Sequence, residues 1–507
     1  MTPSPSHILA SGAPEGFDAT LVLKELATGG GVPVLHVARD DKRMAAMARA
    51  LAFFDPSVVV LQFPGWDCLP YDRMSPNAEI SASRMATLAA LAGGLSGPFI
   101  VLTTLNAASQ FVPARAVLQS AAFAAAVGER IDDAALKRFL VRMGFVQTPT
   151  VSEPGDYALR GGIIDVWPPG ASGPVRLDLF GDVLDGARRF DPATQRTTEK
   201  LDRIELAPVS EVILDEAAIT RFRQNYRIEF GAAGTDDPLY EAVSAGRKHQ
   251  GVEHWLPFFH DRLETLFDYL PGARITLDDQ TTPQRLARWD TISDQYDTRK
   301  TALTQKGRLD TVYKPVPPGL LYLDDAAWMR AIAAHRVVQF APIPAAPGPG
   351  IIDAGGRVGR NFAPERQNES ISLFAALADH IRAERDLRAV VVASWSEGAR
   401  ERLQGLLEDQ GLTDARMERD ARGIGPKGSV TLIVWPLDEG FTGAGLTVIS
   451  EQDVLGDRLI RPKRRVKRAE NYLTEAQSLS PGDLVVHVDH GVGRYKGLET
   501  ITAMGAP

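Results

Sequence analysis

A chain of 507 residues is too long for one hydrophobic core and sets an expectation of three to four domains. Its 44% hydrophobic and 24% charged residues are proportions of a soluble globular protein, and a net charge of −8 excludes a surface built to coat nucleic acid throughout. Cys68 is the single cysteine, which rules out an intrachain disulfide and fits a reducing, cytoplasmic setting. No apolar run reaches the ~18 residues of a membrane span, and the first residues lack the basic-then-apolar layout of a signal peptide.

In chain order, residues 7–120 read as α/β. Apolar, β-branched runs at 32–37, 57–63 and 98–105 are each followed by a helix-compatible stretch, the pattern of a parallel sheet with covering helices. Between the second and third runs lies FPGWDCLPYDRMSPNAEISASR (63–84), a proline-rich loop leading to a helix that opens near Ser81. Residues 121–210 change character. A helix capped by Asp132, with an apolar stripe of Leu136, Phe139, Leu140 and Met143, ends at Gly144 and precedes a group of strands. In the strand VRLDLF, Val175, Leu177 and Leu179 alternate with Arg176, Asp178 and Phe180, so one face is aliphatic and the other carries two charges and a ring. Gly181-Asp182 suits a tight hairpin turn, and Leu159 and Arg160 repeat the alternation on an earlier strand. The outer face has the make-up of a protein-binding hot spot, while pattern alone favours a solvated face with a stray aromatic.

Residues 211–325 are mixed, with GVEHWLPFF (251–259) and LETLFDYLPGARITLDD (263–279) their most apolar parts. Residues 335–460 return to α/β, with strands at 388–395, 430–434 and 446–450 and a helix capped by Ser396. RPKRRVKR (461–468) places six basic residues in eight, a stretch that either lies along DNA or is a solvated linker within 461–480. Residues 481–507 read as strands with glycine turns.

Searches for chemistry return little. The loop before the first helix, Ser11–Asp18, has Phe17 and Asp18 where a phosphate-binding loop carries Lys and Ser/Thr, and Pro14 removes an amide donor, so phosphate binding there is not expected. ITLDD (275–279) and LIVWPLDE (432–439) imitate Mg²⁺-binding strand ends, and without a phosphate loop the acids of the first are expected to be solvated. His487 and His490 are spaced to point to opposite faces of a strand, and Cys68, with His36 in the same domain, reads as a structural thiol. No catalytic, cofactor-binding or metal site is expected.

Four stretches in order, FPGWDCLPYDRMSPNAEISASR, GDYALRGGIIDVWPPG, RLDLFGDVLDGARRFDPATQRT and GVEHWLPFF…LFDYLP, resemble the region shared by UvrB and the bacterial transcription-repair coupling factors (Mfd-type proteins). PLDEGF, SEQDVLGDR and VVHVDHGVGRYKGL favour the coupling factors over UvrB, the alternative being a UvrB-like ATP-dependent helicase subunit of the excision nuclease. The resemblance implies a multidomain α/β fold. Residues 1–120 and 211–325 would form one degenerate helicase-like domain lacking the P-loop, with 121–210 inserted as an α+β UvrA-binding module. Residues 335–460 would form a second, small α/β domain, and 481–507 the start of a small β-barrel that grips the RNA polymerase β subunit.

The resemblance further implies that Arg160, Arg176, Asp178 and Phe180 contact UvrA, with Arg188 and Arg189 nearby, and that Ile501 lies near the polymerase interface. ATP, Mg²⁺ and most DNA contact would belong to a motor beyond Pro507, so the chain is expected to be a non-enzymatic fragment with an incomplete barrel. It would act in transcription-coupled nucleotide excision repair with its UvrA surface constitutively open.

Overall fold

The computed structural model describes residues 7–231, 237–304, 313–368, 370–456, 484–487 and 491–494. In the first part of the chain, strands β1 (His7–Ser11), β2 (Val34–Ala38), β3 (Val59–Phe63) and β4 (Phe99–Thr104) alternate with helices α1 (Asp18–Thr28), α2 (Asp41–Phe54) and α3 (Ala78–Ala92). β2 and β4 are fully buried, as strands covered on both faces must be. Asp40 caps α2 by accepting from the Arg43 amide, and Asn77 caps α3, which therefore starts three residues before the Ser81 expected from sequence.

The helix of the inserted region is α4 (Asp133–Arg142), capped by Asp132 as its sequence indicates. Strands β5 (Val146–Gln147), β6 (Asp156–Arg160), β7 (Ile163–Val166), β8 (Val175–Phe180), β9 (Val183–Phe190) and β10 (Thr197–Leu201) follow. They form a sheet in the order β10-β9-β8-β7-β6-β5, antiparallel except for the short β5–β6 pair. α4 packs on one face through Leu136, Phe139 and Leu140, against Ile164, Val166, Leu177 and Leu184.

The chain then returns to the first sheet with β11 (Arg274–Leu277), β12 (Val337–Ala341) and β13 (Ile351–Asp353). The completed sheet is all parallel, in the order β13-β1-β12-β11-β2-β4-β3. β12 and β13 thus join this sheet although they lie within the 335–460 stretch read as a separate unit. Pairing with β1 and β11 overrides chain proximity.

A second, six-stranded sheet follows: β14 (Arg357–Val358), β15 (Ala389–Ser394), β16 (Arg416–Glu418), β17 (Val430–Val434), β18 (Phe441–Gly443) and β19 (Leu446–Ser450), ordered β14-β18-β19-β15-β17-β16. Its helices are α5 (Leu373–Arg385) and α6 (Glu397–Glu408), both serine-capped. One core joins the two sheets across α1 and α2: Val22, Met47 and Phe53 pack with Val391, Ile433 and Trp435, and the Phe53 and Trp435 rings stack 4.0 Å apart. Separately, Leu484–His487 and Gly491–Arg494 form an antiparallel hairpin in a unit of their own. Among the described residues no helix is long and apolar enough to cross a membrane.

Candidate functional site

β1, β2, β11 and β12 point their carboxyl ends to one edge, where open α/β sheets hold ligands. Side chains fill that crevice. Phe17 is buried 5.9 Å from Phe441, and Gly356 and Gly443 seat its ring, since a Cβ at either would come within 2.6 Å of a ring carbon. Asp18 accepts from the Gly16 amide at 3.0 Å, so a carboxylate of the chain takes a loop donor that a phosphate would need.

Arg43, buried on α2, donates to Asp18 at 2.5 Å and to both oxygens of Asp278 at 3.2 and 3.3 Å; its Nε lies 3.2 Å from Glu15, which also accepts from Arg39 at 2.7 Å. Asp278, expected to be solvated, is instead buried and salt-bridged, because folding brings α2 over the end of β11. Burial raises the Asp18 carboxyl to about 6; Arg43 opposes the shift, and Asp278 and Glu15 add to it. Burial also pushes Asp278 upward, but Arg43 and His36 more than offset this and hold it below its ordinary value. His36 is lowered to about 4 by burial, and its Nδ1 lies 3.0 Å from Thr276 Oγ1.

Cys68 has His254, not His36, as its neighbour, with Sγ 4.0 Å from Nε2. Burial, then Asp67, Asp72 and Glu253, raises the thiol to about 12, the opposite of what a nucleophile requires.

The inserted sheet presents a different surface. Two-residue turns join Arg160 to Ile163 and Phe180 to Val183, with Gly161 and Gly181 at φ of +63° and +64°, where glycine avoids the Cβ penalty. The two tips lie side by side at one end of the sheet. A Cβ on Gly162 would come 2.8 Å from the Leu179 carbonyl oxygen, so the first tip packs directly on the β8 backbone.

On the face away from α4, Phe180 is 82% exposed and Arg160 is exposed while donating to the Pro149 carbonyl at 2.8 Å. Asp178 pairs with Arg188 at 3.1 Å. Arg176 shares the face but is held: it donates to both oxygens of buried Asp165 at 2.7 and 2.9 Å, with its guanidinium 4.8 Å over the Phe190 ring. That hydrogen-bonded pair raises the Arg176 pKa above its ordinary value.

Arg176 and Arg188 stand opposite each other on β8 and β9, and each is neutralised by its own acid, which removes a repulsion between like charges. Strand alternation therefore placed Arg160, Arg176, Asp178 and Phe180 on one face, but it did not reveal that Arg176 is clamped. It also missed Ile163, 36% exposed on the same face, because the Ile163-Ile164 pair does not announce which member points outward. Ile501 and the basic run 461–468 lie outside the described residues, as do His490 and the side chain of His487.

The sheet thus packs α4 on one face, while the other carries a small cluster of Val151, Ala158, Phe190 and Trp167 and, toward the turns, the exposed Arg160, Ile163 and Phe180. Residues 123–212 match the UvrB interaction domain family, and residues 479–507 match the CarD-like/TRCF RID domain family. Across the whole chain the similarity is to proteins named transcription-repair-coupling factor. That of Haemophilus influenzae is 29% identical over 99% of this chain and 43% of the relative. That of Escherichia coli is 30% identical over 96% and 42%, and that of Myxococcus xanthus 30% over 94% and 41%. The likeness to coupling factors read from the motifs thus holds almost end to end, and the chain spans about two-fifths of the length of these curated relatives.

Proposed function

We propose that this chain is the N-terminal part of a transcription-repair coupling factor and recruits UvrA to stalled RNA polymerase. The observation that carries the reading is the bare Phe180 ring, 82% exposed on the open face of the segment that matches the UvrB interaction domain. An exposed aromatic ring beside a cation and an acid has the make-up of an interface anchor. Phe180 enters an apolar pocket of UvrA, Arg160 and Arg176 face acidic groups, and Asp178 faces a basic one. Polymerase, through its β subunit, is engaged by the region matching the CarD-like/TRCF RID domain, with Ile501 at that contact.

In this reading residues 1–120 and 211–325 form a helicase-like domain that has lost nucleotide chemistry, a loss supported by Phe17 and Arg43 filling the crevice. The chain needs no cofactor. ATP, Mg²⁺ and most DNA contact belong to the motor of longer relatives.

Removing one such anchor costs about 2 kcal/mol or more, roughly thirtyfold in affinity. Pull-down and titration with purified UvrA are therefore expected to show at least that loss for the Arg176→Ala, Phe180→Ala double variant. Unchanged affinity rejects the site. Calorimetric titration with Mg²⁺-ATP is expected to show no binding, and tight binding would restore the enzymatic alternative.

A further inference from the structure

We infer that Ile163 is a specificity-determining contact at the centre of the docking face, so that the partner presents an apolar ridge between an acidic and a basic group. The inference rests on the function proposed above and goes beyond the four residues named there.

Three strands place Ile163. Across the β6–β7 hairpin it pairs with Arg160, and across β7–β8 it pairs with Asp178, so Arg160, Ile163 and Asp178 form one transverse row. The next position in the row, on β9, is Gly186, which adds no side chain above the sheet. The row is therefore cation, aliphatic and acid, with the Asp178–Arg188 pair lying over Gly186 and the exposed Phe180 at the neighbouring turn. A partner crossing the strands meets Ile163 between the two charges.

The main core of the module is built from other side chains. Ile164 and Val166 supply the inward face of β7 and are essentially fully buried, whereas Ile163 remains 36% exposed. Aliphatic surface at the tip of a hairpin gains by being covered, and the Gly162 packing against β8 fixes its position in advance, which lowers the ordering cost of binding.

The test measures UvrA affinity and the thermal midpoint of the full chain for Ile163→Asp, Ile163→Thr and Phe180→Ala. Ile163→Asp sets a carboxylate beside Asp178 and is expected to weaken UvrA at least tenfold. Ile163→Thr keeps the β-branched shape suited to a strand and is expected to weaken it severalfold at an unchanged midpoint. Wild-type affinity of both Ile163 variants, with Phe180→Ala weakened, overturns the role of Ile163 and leaves the docking face in place. Wild-type affinity of all three overturns the face itself. If Ile163→Asp lowers the midpoint, Ile163→Thr decides: native affinity at a native midpoint counts against the inference.

Discussion

Arg43→Ala is expected to lower the stability of the α/β body by about 3–5 kcal/mol at neutral pH, the usual cost of stranding buried charge. Arg43 is the shared donor to Asp18 and Asp278, both buried, and lies beside Glu15. Without it, two carboxylates sit in the crevice with Arg39 at its rim.

The pH dependence carries a sign that tests this account. In the wild type the Asp18 carboxyl is raised to about 6, so the folded state binds its proton more readily than the unfolded chain. That group's contribution favours folding at low pH and is lost as pH rises through about 6. Asp278 is lowered, so its contribution is present above its ordinary value and lost on further acidification. In Arg43→Ala nothing comparable holds Asp278 down, and both acids should titrate upward. The deficit in the urea midpoint relative to wild type is therefore expected to shrink between pH 7 and pH 5. A deficit independent of pH would show that Arg43 acts through packing alone. Arg43→Met with Asp278→Asn should recover part of the loss, because the pair is then replaced and not broken.

The second large effect lies where the region matching the UvrB interaction domain meets the body. Arg84 on α3 is completely buried and donates to both oxygens of Glu211 at 2.6 and 3.3 Å, and to the Pro64 carbonyl at 2.9 Å. Its guanidinium also lies 4.1 Å over the Phe63 ring, and Trp66 Nε1 donates at 3.3 Å to Glu211 Oε1, the oxygen that accepts from Arg84 Nε. Glu211 is at the end of the matched interaction domain, while Arg84 belongs to the parallel-sheet body. Arg84→Ala and Glu211→Ala are each expected to cost about 3–5 kcal/mol, since each leaves the other charge buried alone. In a double-mutant cycle the combined variant should cost much less than the sum, and additive losses would show that the two do not act as a pair. Calorimetry on the full chain, following the first unfolding transition, is the direct measurement.

Local pattern made much of the architecture legible. Apolar runs separated by helix-compatible stretches announced β2, β3 and β4. Asp132 and Ser396 announced the starts of α4 and α6, because capping is chemistry between near neighbours. Alternation in VRLDLF announced which residues of β8 leave the core, since side-chain direction in a strand has a fixed period of two. None of these signals depends on distant residues.

The outcomes that escaped sequence reasoning are contacts between distant segments. Asp278 looked solvated because Arg43, its partner, is more than two hundred positions away in the chain. Arg176 looked free because its partner Asp165 lies on a neighbouring strand, and register decides that meeting. β12 looked like the start of a later unit until its pairing with β1 and β11 placed it in the first sheet.

The sequence by itself determined that the loop before the first helix carries Phe17 and Asp18, and that one strand face bears Arg176, Asp178 and Phe180, because residue identity and alternation are local properties. Only the tertiary structure decided that Phe17 and Arg43 occupy the crevice, that Asp165 clamps Arg176, and that Phe180 stands bare beside Ile163. Burial and ion pairing are set by which surfaces meet, and a linear pattern does not encode that meeting.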